Sequence, residues 1–84
     1  MAYIDSRKIL SLTDDFLVSI GKKSEVDSAR SFFESKMSNL GRSFENGETQ
    51  QEKLAEEIME LLKSFKVYLR SDEVRALNKK FQYA

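Results

Sequence analysis

Thr49-Gln50-Gln51-Glu52-Lys53-Leu54-Ala55-Glu56-Glu57-Ile58-Met59-Glu60-Leu61-Leu62-Lys63-Ser64-Phe65 is the stretch that decides the fold. Leu54, Ile58, Leu61, Leu62 and Phe65 recur at three- and four-residue steps, and Leu69 prolongs the series. That spacing is one face of an α-helix. Ala55 and Met59 widen the stripe. Thr49 and Glu52 have the spacing of a full capping box, a hydroxyl and a carboxylate serving the free N–H groups of the first turn. Glu52, Glu56, Glu57 and Glu60 fall on the other side, where Lys63 can share their outer surface. They read as a hydrated stripe rather than a cation site or an acid/base pair. Val67-Tyr68-Leu69 is rich in β-formers, so the last turn is expected to unwind.

The same period runs through the chain ahead of this segment. Ile9, Leu12, Phe16 and Ile20, with Leu10 and Leu17 alongside, predict a first helix from about Asp5 to Ile20. Asp5 suits its N-cap and Gly21 its C-terminal stop. Lys22 and Lys23 follow where the helix dipole is negative. Ser24-Glu25-Val26-Asp27 resembles a shorter-armed capping box and opens a second helix. Its stripe is Val26, Ala29, Phe33, Met37 and Leu40. Two ends fit the pattern, Gly41 or a continuation to Phe44. Asn46-Gly47 is a turn signal before the third helix. Phe32 and Phe33 are neighbours, so they point about 100° apart on a helix. Both cannot centre one stripe, and one of them reaches the surface or a groove.

Beyond the third helix, Ser71-Asp72-Glu73 reads as a cap with an acidic first turn. A short last helix follows, with Val74, Leu77, Asn78 and Phe81 on one side and Lys79 and Lys80 closing it. Short connections place successive helices antiparallel. The expected architecture is all-α, an antiparallel four-helix bundle with a short last helix, in one domain over residues 1–84. The alternative is a three-helix bundle with the last segment loosely docked.

Eighty-four residues support only a modest core. Cysteine is absent, so there is no disulfide framework or thiolate metal site. Proline is absent too, which leaves nothing to break long helices. Met1-Ala2-Tyr3-Ile4-Asp5 does not read as a secretory leader. No apolar run approaches the roughly 20 residues that span a bilayer. The expected location is the cytoplasm, with any membrane contact peripheral.

Histidine is also missing, so Ser-His-Asp and Cys-His arrangements are excluded. There is no glycine-rich phosphate loop. The chain therefore reads as a non-enzyme without a cofactor. Net charge is zero, but it is unevenly spread. Residues 1–42 carry +1, residues 43–60 carry −5, and residues 61–84 carry +4. The basic C-terminal quarter holds Lys63, Lys66, Arg70, Arg75, Lys79 and Lys80 against Asp72 and Glu73. It can face an anionic surface, or be a solvated face with favourable helix-end charges. A nucleic-acid binder should be clearly basic, so DNA or RNA is not the expected partner. Tyr3, Tyr68 and Tyr83 are candidates for amphipathic surface contacts.

The plan from Asp5 to Phe81 resembles the immunity proteins of pediocin-like (class IIa) bacteriocins, of the enterocin A immunity type. The resemblance is carried by Ile9-Leu10 in helix one, the short basic turn after it, and the charged turn Phe44-Glu45-Asn46-Gly47. It is carried furthest by Phe65-Lys66-Val67-Tyr68-Leu69-Arg70-Ser71-Asp72-Glu73-Val74-Arg75-Ala76-Leu77. It implies a cytosolic four-helix bundle without enzymatic activity that protects the producing cell. In that family the partner is the mannose phosphotransferase membrane components with bacteriocin docked on them. Specificity there tends to lie in the C-terminal half.

The candidate partner-binding residues are Lys66, Tyr68, Arg70, Arg75, Lys79 and Lys80. A second expectation, of a different class, is a small phage or bacterial adaptor, inhibitor or chaperone that holds a soluble protein in a groove between helices. An apolar strip on helix two or three would equally serve a homodimer.

Overall fold

A computed structural model of the chain describes residues 4–84. The helix ends explain how the chain is laid out. The Asp5 carboxylate accepts the Lys8 N–H at 2.9 Å and starts α1 (Ser6–Ser19), as expected. This helix stops where Gly21 takes φ +71°. There the Lys22 N–H returns to the Leu17 carbonyl at 2.9 Å, and the Gly21 N–H to Val18 at 3.1 Å. This is the Schellman closure, which satisfies the last carbonyls of a helix.

The expected second helix is two helices. A short α2 (Lys23–Asp27) is followed, after Ser28 and Ala29, by the long α3 (Arg30–Glu45). Ser24 lies inside α2 instead of capping it, and its hydroxyl meets the Glu25 carboxylate at 3.2 Å. At the break the Ser28 hydroxyl donates to the Glu25 carbonyl at 2.8 Å, a local alternative to the helical ladder. Ala29, expected in the core stripe, is exposed at this elbow. Gly41 does not end the helix. The helix passes through Phe44 and closes on a second Schellman motif, with Gly47 at φ +80°. The Glu48 N–H reaches the Ser43 carbonyl at 2.8 Å.

Next comes α4 (Gln51–Lys63), whose N-cap is Gln50 and not Thr49. The expected capping box is not formed, because Thr49 still belongs to the closure of α3: its N–H also reaches the Ser43 carbonyl, at 3.2 Å. The C-terminal end repeats the Schellman geometry around Lys66, at φ +60°. The Val67 N–H bonds to Leu62 at 3.1 Å and the Lys66 N–H to Lys63 at 3.0 Å. Leu62 and Val67, the two residues that this motif brings together, are both buried.

The last helix, α5 (Ser71–Gln82), is one residue shorter than the 13-residue α4. Ser71 is its first residue, and Arg70 is the N-cap. The Glu73 carboxylate accepts the Arg70 N–H at 2.9 Å. Arg70 has only donors to offer in return, so the box is one-sided.

Among the described residues the fold is all-α, with five helices and no strand. The α3 helix packs on α1 and α4, and α5 packs on α4 and α1, so the long helices form a closed ring. Three pairs run antiparallel, as their contacts show. Gly41 of α3 faces Ser6 of α1, while Arg30 at the other end of α3 binds Asp14. Phe32 and Phe33 at the start of α3 touch Phe65 after α4. The Gln51 amide at the start of α4 donates to the Phe81 carbonyl near the end of α5 at 3.1 Å.

Each helix sends side chains to one core, including Ile9, Leu17, Val26, Phe33, Met37, Ile58, Leu62, Leu77 and Phe81. Thr13 is the polar exception, and its hydroxyl donates to the Ile9 carbonyl at 2.8 Å. The stripe of α1 is rotated from the expected one. Leu17 is fully buried, whereas Leu12 and Ile20 lie at the margin.

Candidate functional site

The six candidate residues begin at the left-handed turn. From Lys66 to Arg70 the chain is not helical, and burial alternates along it. Val67 is buried and Leu69 half-buried, while Lys66, Tyr68 and Arg70 are exposed. Extended backbone places alternate side chains on opposite faces. Tyr68 and Arg70 therefore face outward together, and exposed Lys66, at the left-handed turn, completes an outward row of three. Tyr68 is 66% exposed.

Arg70 is the most committed of the three. Its guanidinium lies 3.2 Å from Asp72 and 3.8 Å from Glu73. Hydrogen bonding to Asp72 raises the Arg70 pKa, and the same bond holds the Asp72 carboxyl below its ordinary range. Among the described residues Lys66 has no carboxylate partner, and neither have Arg75, Lys79 and Lys80.

The helical period divides the last three. Val74, Leu77, Asn78 and Phe81 turn inward, so Arg75 and Lys79, four residues apart, share the outer face of α5. Lys80 falls on the opposite flank and is half-buried. The structure thus groups Lys66, Tyr68 and Arg70, pairs Arg75 with Lys79, and separates Lys80 from both.

Two further residues join the row. Phe32 is 50% exposed, and its ring lies 5.4 Å from that of Phe65, immediately before Lys66. Phe33 is the buried member of the pair and meets Phe65 edge-on, at 5.4 Å. The Lys36 ammonium sits 5.2 Å over the Phe32 ring. Lys36 was not among the expected contacts. Its signal in the sequence is the four-residue step from Phe32, which puts both on one helical face.

Elsewhere, Glu52, Glu56, Glu57 and Glu60 are exposed, and Glu60 pairs with Lys63 at 2.8 Å. A cleft of about 240 Å³ between α4 and α5 is lined by Gln51, Glu52, Asn78 and Gln82. Asn78 Oδ1 is buried without a hydrogen-bond partner among the described residues. Tyr83 is exposed at the far end of α5, and Tyr3 lies outside the described residues. No helix among the described residues is long and apolar enough to cross a membrane.

Exposed ammonium groups and aromatic faces can dock an anionic or mixed surface. No family model, no curated protein and no solved structure matches the chain.

Proposed function

We propose that this chain works by binding another protein through the α4–α5 connection and the outer face of α5, and that the ring of long helices is an antiparallel four-helix bundle carrying that surface. The observation that carries the reading is the outward row Lys66–Tyr68–Arg70, joined by Phe32 and Lys36 from α3. In its specific form this is the bacteriocin-immunity reading. A cytoplasmic protein recognises mannose phosphotransferase components from inside the cell once a bacteriocin has docked on them.

The test is protection. The chain is expressed in a lactic acid bacterium sensitive to pediocin-like bacteriocins, which is then challenged with a panel of those peptides. Survival against one or a few is the expected result. Charge reversal at Lys66, Arg75 and Lys79 together should abolish it while helicity is retained. Full protection by the triple variant would remove these residues from the site, and no protection from the well-folded parent chain would end the immunity reading.

A second reading is favoured by Phe32. This half-exposed aromatic extends the surface onto α3, beyond the basic C-terminal quarter, and makes it mixed rather than purely cationic. A soluble partner engaged by an adaptor, inhibitor or chaperone suits such a surface. It predicts a stable complex that forms without membranes.

A further inference from the structure

After the left-handed turn at Lys66, the segment from Val67 to Arg70 is neither helix nor strand, Arg70 is extended, and part of the segment's backbone is unpaired. The Val67 N–H is taken by Leu62 and the Arg70 N–H by Glu73. Between them, among the described residues, the N–H groups of Tyr68 and Leu69 have no hydrogen-bond partner. An extended stretch with free N–H and C=O groups is the edge onto which a peptide strand can add.

The side chains around this edge have a definite character. Lys36 and Lys66 are cations without a carboxylate partner among the described residues, and Phe32 and Tyr68 offer exposed rings. Lys66 also holds a left-handed backbone conformation that favours glycine, while the chain does use glycine at the two equivalent helix ends. A non-glycine residue kept at such a position points to work for its side chain.

We infer that Lys66–Arg70 is a docking edge for an extended acidic peptide segment of the partner, which pairs with the free backbone of Tyr68 while its carboxylates meet Lys36 and Lys66 and its apolar side chains rest on Phe32 and Tyr68. This rests on the protein-binding reading and names the chemistry of the partner. Hydrogen bonds to main chain supply affinity in this mode, and the flanking charges select the acidic sequence.

The test uses the full chain and a library of random linear peptides displayed on phage. Enrichment of acidic, alternating sequences is the expected result. An enriched peptide, added to labelled protein, should slow amide exchange at Tyr68. Lys36→Glu with Lys66→Glu should weaken it about tenfold, as should Tyr68→Ala, while Lys8→Glu on α1 leaves it unchanged. All these positions are exposed, so the variants should keep the parent helicity.

Binders without an acidic bias overturn the inference, as do binders that leave the Tyr68 amide unprotected or a library that yields none. Binders that map to Arg75 and Lys79 overturn it too, but leave the broader protein-binding reading standing. The protection assay judges the immunity form of that reading separately.

Discussion

Lys66 is where the local chain departs most from what its residue type prefers. A left-handed conformation costs an L-residue about 1–2 kcal/mol, and glycine avoids that at some cost in chain entropy. Lys66→Gly should therefore raise stability by about 1 kcal/mol, read as a higher urea midpoint with an unchanged slope. An unchanged or lower midpoint would show that Lys66 is not strained. Gly41 is the opposite case. A Cβ there would overlap Ser6 Cβ and lie 3.0 Å from Ser6 Cα. Gly41→Ala should destabilise by about 1–3 kcal/mol, and Ser6→Gly in the same chain should recover part of the loss. Equal losses in the single and double variants would place the strain elsewhere. The sequence offered Gly41 as a helix stop. Glycine serves equally at a helix end and at a close helix crossing, and only the partner helix distinguishes them.

At the scale of elements, the apolar period made the long helices legible, and Gly21 and Asn46-Gly47 marked two true ends. The elbow at Ser28-Ala29 was not legible. Val26 and Phe33 are seven residues apart and would share a face on an unbroken helix as well. The arrangement around Arg30 is long-range and has no local signature. Its guanidinium binds Asp14 of α1 through two bonds of 2.7 and 2.9 Å, and also reaches Asp27 and Glu34. The bond to Asp14 foremost raises the Arg30 pKa, against some desolvation. A double-mutant cycle with Asp14→Ala and Arg30→Ala should give a coupling of about 1 kcal/mol, more than a fully exposed pair supplies. A coupling near zero would mean that the pair only decorates the α1–α3 contact. At the start of α5, Asp72 is held below its ordinary pKa by Arg70. A lowered carboxyl supports the folded form above its unfolded value, and the support fades as pH falls through the folded value. Protection of the α5 amides against exchange, relative to the intrinsic rate at each pH, should therefore fall in acid before that of α4. Simultaneous loss would assign Asp72 no such role. The candidate site was half legible. The basic row lies on one sequence run, but Phe32 and Lys36 join it only through the packing of α3 against the end of α4.

Among the described residues, five helices share one core. Phe33 is fully buried between α3 and the end of α4. Phe33→Ala should cost about 3–5 kcal/mol, a large part of what an 84-residue domain has to lose. Helicity should then vanish across the chain in a single step. A variant that lost one helix and kept the others would contradict a common core. The exposure of Tyr68 and Tyr83 gives the molecule an optical property of its own. Without tryptophan, its ultraviolet emission comes from tyrosine alone, and Tyr68 and Tyr83 are 66% and 83% exposed. Because both rings are already in water when the chain is folded, their light changes little as the core melts. It changes when something covers Tyr68, so the protein carries a built-in reporter for occupation of the proposed docking edge.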